Sequence, residues 1–126
     1  DTLKDTLTMS FELIDNLKIS KERMHKMANE GFTTATDFAD YLVKEKKLTF
    51  RESYGISSQL VNFAEKKDKT LDEISLDELK KFYKDLDEDV LKIFDVKNSM
   101  NSKNSYGGTS SNNVKKMIQK FKKENK

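Results

Sequence analysis

The chain has 126 residues, 35% of them apolar and 37% charged, with 24 basic against 22 acidic side chains and a net charge of +2. One domain's worth of chain with so thin an apolar share argues against several domains, and interleaved charge excludes the single-sign field that steers a protein to a polyanion. Zero cysteine removes disulfides, thiolate zinc sites and cysteine nucleophiles, and only Arg23 and Arg51 supply a guanidinium fork.

With no proline, four glycines and no alternation of β-branched with polar residues, strands have little support and the chain reads as all-α. From Thr2 to Leu17, Leu3, Leu7, Phe11, Ile14 and Leu17 form one ridge, and Met9 and Leu13 widen it past half the circumference. A helix at the edge of a small domain needs a stripe of only about 100°. This one expects neighbours on two sides, as the tail of a helix in a larger bundle; the alternative is a central helix of this same domain. Ser20 can cap a short helix whose Met24, Met27 and Ala28 face inward, while His25, without a partner ligand or carboxylate pair nearby, receives no role.

The stretch Gly31 to Val43 organises the rest. Gly31 ends the short helix with φ > 0, Thr34 and Asp37 spell a capping box, and Ala35, Phe38, Ala39, Leu42 and Val43 fall on one apolar stripe, with Asp37, Asp40 and Lys44 pointing away. Thr49 and Glu52 spell a second box. The helix it opens shows Phe50, Tyr54, Ser57, Leu60, Val61 and Ala64 on one face and Ile56 and Phe63 on another, despite Gly55 inside it. Thr70–Glu73 and Ser75–Glu78 repeat the box twice more, and Asp87 caps a helix in which Val90, Leu91 and Phe94 are buried and Leu86 staples to Leu91. Asn98 to Thr109 reads as a polar loop. A last helix from Asn113, capped by Thr109, carries Val114, Met117, Ile118 and Phe121 on a narrow stripe among lysines. Gly107-Gly108 ahead of it reads as a tight cap, with an anion cradle the lesser alternative.

The run GFTTATDFADYLV resembles the C-terminal domain of argininosuccinate lyases, of the fumarase/aspartase superfamily. Its family pattern is met at Gly31, Phe32, Ala35, Thr36, Asp37, Ala39, Asp40, Tyr41, Leu42 and Val43, with Phe38 for leucine. TLDEISLDELKKF resembles a further family segment. The family's S-V-x-x-R-x-x-x-G-G-T-A-P signature is met at Ser99, Gly107, Gly108 and Thr109, with Met100 for valine, Lys103 for arginine, and Ser110-Ser111 for Ala-Pro. Where the family has F-R-x-A-H-x-x-x-G, this chain has Ser53, Tyr54 and Ser58 for alanine, histidine and glycine, which puts close helix approach at Ser58 in question.

The resemblance implies an enzyme that splits argininosuccinate into arginine and fumarate by β-elimination in arginine biosynthesis. It implies no metal or organic cofactor, a homotetramer built through a central bundle, and a cytoplasmic home. Residues 1–18 then correspond to the tail of the bundle domain and 19–126 to the C-terminal helical domain. The superfamily's mobile catalytic loop needs prolines that this chain lacks, so no catalytic, cofactor-binding or metal residue is assigned, and the catalytic Ser and His are expected upstream of Asp1, in a longer parent. No membrane span or signal-peptide pattern occurs. The competing class is a free-standing helical interaction module or a helix-turn-helix DNA binder spelled from Met24 to Lys44, disfavoured because Phe38, Asp40 and Tyr41 would face the bases.

Overall fold

The computed structural model describes residues 1–125, and no strand occurs among them. The helices are α1 (Thr2–Asp15), α2 (Lys21–Glu30), α3 (Ala35–Lys46), α4 (Phe50–Lys66), α5 (Leu76–Leu79), α6 (Val96–Ser102) and α7 (Ser111–Glu124), with 3-10 turns at Leu71–Glu73 and Glu88–Phe94. The all-α reading holds. The expected helix after Asp87 is a 3-10 coil instead: Val90 and Phe94 are buried as expected, but Leu91 turns outward, 40% exposed, and cannot staple to the buried Leu86.

The core is built by α3 and α4 with the segments that follow them. Phe38, Leu42, Leu60, Ala64, Ile74, Leu79, Val90 and Phe94 enclose one another, and the Phe38 and Phe94 rings meet at 5.5 Å in a tilted pair. Ala35 and Val43 at the margins of the α3 stripe are half-buried. α4 buries most of the face its apolar pattern suggests, shifted at its N-terminal end from Phe50 and Tyr54 to Ser53. Ser53, Ser57, Leu60 and Ala64 turn inward, whereas Phe50 and Tyr54 are 64% and 59% exposed. Small side chains win at this contact because the two helices approach closely enough for Ser57 Oγ to donate to the Ala35 carbonyl at 2.6 Å. The close approach lies at Ser53 and Ser57, and Ser58 is exposed. Ser53 Oγ is buried with no hydrogen-bond partner among the described residues.

Three capping boxes close as their spelling predicts. Thr49 and Glu52, Thr70 and Glu73, and Ser75 and Glu78 each exchange side-chain and backbone bonds, satisfying donors that a helix start leaves free. The fourth does not form. Thr34 is itself in a helical conformation and makes no side-chain cap, because the turn from Phe32 runs straight into α3 and the Phe32 carbonyl takes the Ala35 N–H at 3.0 Å. The left-handed residue at this junction is Phe32, with φ 49°, while Gly31 sits at φ −88°. That conformation costs a non-glycine residue about 1 kcal/mol. Packing of the half-buried Phe32 ring against the core offsets it.

α1, α2 and α7 bury no residue. Met24 and Met27, expected inside, are 62% and 60% exposed, and Ser20 stands at the start of α2 without a side-chain cap bond. The α1 ridge is bare along its length: Leu3, Leu7, Phe11 and Ile14 are each more than 60% exposed.

Candidate functional site

Two stretches far apart in sequence are brought together on one side of the core. Asp37 on α3 accepts hydrogen bonds from Ser99 Oγ on α6 and from Lys103 Nζ just beyond it. The Asp37 side chain is 15% exposed and that of Lys103 47%, so the aspartate is the shielded member of the pair. The carboxylate that could have reached back to Thr34 is committed to this clasp. Sequence reasoning missed it because Asp37 looked like an outward-facing cap residue.

α6 itself was missed within the expected polar loop. Its signal was present: Asp95 Oδ1 accepts from the Lys97 N–H at 2.9 Å as a cap, and Val96 and Met100 stand one turn apart. Seven residues with so few apolar side chains give no periodicity to detect, yet the helix sets Ser99 toward α3.

A groove of about 430 Å³ lies beside the clasp, lined by Asp37, Asp40, Tyr41, Lys44, Lys92 and Ser99 among others. Its charges are of both signs, and besides the clasp Lys92 is paired, its Nζ 2.6 Å from Asp89. Tyr41 is half-buried, and its phenol is pushed above its ordinary value by that burial. Below the groove, Lys46 Nζ reaches Asp87 at 3.4 Å and lies 5.9 Å from the Tyr41 ring, pinning α3 to the turn at Asp87. No base with an orienting partner stands at the groove. His25, the single histidine, is exposed on α2, and among the described residues no cluster of three His, Asp or Glu side chains is placed for a metal ion. No helix among them is long and apolar enough to cross a membrane.

The glycine pair closes the far side of the clasp. Gly107 takes φ +78°, and a Cβ on Gly108 would stand 2.2 Å from the Lys103 carbonyl oxygen, so this turn admits glycine alone at 108. That carbonyl accepts the Ser110 N–H at 3.3 Å. Ser110, rather than Thr109, caps α7: its Oγ accepts from the Asn113 N–H at 3.4 Å, whereas the Thr109 hydroxyl donates to the Met100 carbonyl at 3.5 Å. The Ser111 N–H is taken by Asn101 Oδ1 at 3.3 Å. With these amides engaged, the tight-cap reading accounts for the turn and the anion cradle does not.

The helix-turn-helix reading fails on α3. Phe38 is fully buried, Tyr41 half-buried and Asp37 clasped, and the exposed face of α3 carries Asp40 and Glu45, which DNA phosphates repel.

The class these observations define is a small helical domain with a closed core, a clasp and a mixed-charge groove. A family model described as argininosuccinate lyase C-terminal matches residues 32–101, from the turn before α3 into α6. The chain belongs to that family. Argininosuccinate lyases from Pelagibacter ubique, Nitratiruptor sp. and Nitrosomonas europaea are 52%, 41% and 41% identical to it over 98%, 95% and 94% of its length. It spans about a quarter of each relative, 27%, 26% and 25% respectively.

Proposed function

We propose that the chain serves as the C-terminal packing domain of an argininosuccinate lyase, a cytoplasmic homotetramer that cleaves argininosuccinate to arginine and fumarate. In that β-elimination a general base removes a proton beside a carboxylate, the resulting anion is stabilised, and the guanidine leaves as an acid protonates it. The remainder of the parent supplies the base, the acid and the substrate pocket. This domain supplies a rigid end to the bundle. The observation that carries the reading is the 52% identity along nearly the whole chain to an argininosuccinate lyase. The bare double-width ridge of α1 supports it, since helices of a bundle would cover that ridge.

Two assays test the proposal together. The 126-residue chain alone is expected to leave argininosuccinate intact, and a graft of it in place of the matching quarter of the Pelagibacter ubique relative is expected to be an active tetramer. Turnover by the chain alone, or a folded graft that assembles but is inactive, overturns it.

A further inference from the structure

The groove beside the clasp carries charges that the fold leaves unmatched. Of the lysines lining it, Lys103 is clasped to Asp37 and Lys92 is paired with Asp89. Asp40, Lys44 and Glu45 also line it and are exposed, yet none of them takes part in an ion pair among the described residues, although Asp40 and Lys44 stand one turn apart. Two carboxylates and one ammonium are therefore left facing the groove.

By helical spacing Tyr41 lies between Glu45 on one side and the Asp40–Lys44 pair on the other. From Asp40 to Glu45 the helix rises about 7.5 Å, so the two carboxylates stand well apart along the groove. Tyr41 and Ile93, both half-buried, give the space between them an apolar lining against which a methylene stem can lie. At about 430 Å³ the groove is of the size that holds a small molecule.

We propose that this groove binds a free amino acid with a cationic side chain, its α-carboxylate on Lys44, its α-ammonium on Asp40 and its side-chain cation reaching across Tyr41 to Glu45. Such a ligand carries two positive charges and one negative, the reverse of the unmatched set. A dicarboxylate would meet two like charges, and a neutral amino acid would leave Glu45 without a partner. The charge pattern holds whatever the parent catalyses, so this site and the lyase reading stand or fall separately.

Arginine serves as the probe. Titrated into the 126-residue chain at constant pH and ionic strength, it is expected to move the backbone amide resonances of α3, Ile93 and α6 saturably and to leave those of α1 and α7 in place. Citrulline, which lacks the side-chain cation, and agmatine, which lacks the carboxylate, are each expected to bind about fivefold more weakly, the worth of one exposed charge pair. Lys44→Glu changes an exposed position, so the amide spectrum is expected to keep its dispersion while the order reverses and agmatine binds more tightly than arginine. The proposal is overturned by shifts that do not saturate, by guanidinium chloride reproducing them at the same concentration, by citrulline or agmatine binding the native chain as tightly as arginine, or by an unchanged order in Lys44→Glu.

Discussion

α1 and α4 carry apolar residues at equally regular helical intervals, yet Leu60 on α4 is 1% exposed and Leu7 on α1 62%. Periodicity states that a face exists. It does not state which element of which chain covers it, and α4 is covered by α3 whereas α1 has no neighbour within the described chain. Full burial of a leucine is worth about 1.5–3 kcal/mol, so the body built by α3, α4 and the turns after them carries the stability, and α1 and α7 add almost none of it here.

That contrast can be broken most forcefully at Phe94. Phe94→Ala removes a ring packed on Phe38 in a closed core and is expected to destabilise the chain by about 3–5 kcal/mol in urea unfolding; a loss below 1 kcal/mol would mean that the body is not the stable unit. Asp37→Asn cuts the charge of the clasp, and because Lys103 is half in water the expected loss is smaller, about 1–2 kcal/mol. Hydrogen exchange should then quicken at α6 ahead of α4.

An acid titration sharpens the same contrast. The Glu78 carboxylate is held down to about 2, first by the Ser75 N–H and then by Lys69, whose Nζ donates to both its oxygens at 3.1 Å. Its ordinary value is 4.5, so the stability it lends is complete above that pH and disappears as pH falls from 4.5 towards 2. Glu78→Gln should flatten this limb of the stability curve, and an unchanged limb would mean that the α5 cap is not formed in solution. Smallest of all is Leu7→Gln on the bare ridge of α1. Its effect on urea unfolding of the dilute chain is expected to stay within about 0.5 kcal/mol, and a larger loss would show that α1 is packed after all.

What the sequence disclosed followed the range of the forces involved. The caps at Thr49, Thr70 and Ser75 are legible because both partners lie within four residues, and the stripe of α3 because its apolar residues outnumber the rest on that face. On α4 the expected Ser57, Leu60 and Ala64 are buried, but at its N-terminal end helix separation, set by partners in space, favours Ser53 over the larger Phe50 and Tyr54. Met24 and Met27 were assigned inward on spacing alone, where no neighbour covers them. At the groove, Asp37 was visible as a residue and invisible as a clasp, since Ser99 and Lys103 lie 62 and 66 positions away. Family resemblance joined those stretches by likeness, and the fold joins them by contact.

The clasp also sets an order of events during synthesis. Asp37 leaves the ribosome long before its lysine exists, and at roughly 5–20 residues per second the intervening chain takes about 3 to 13 s to make. Until then α3 and α4 can pair with each other, but the Asp37 carboxylate on the outer side of α3 has only water for company, and a chaperone that recognises exposed apolar helix has that interval in which to act.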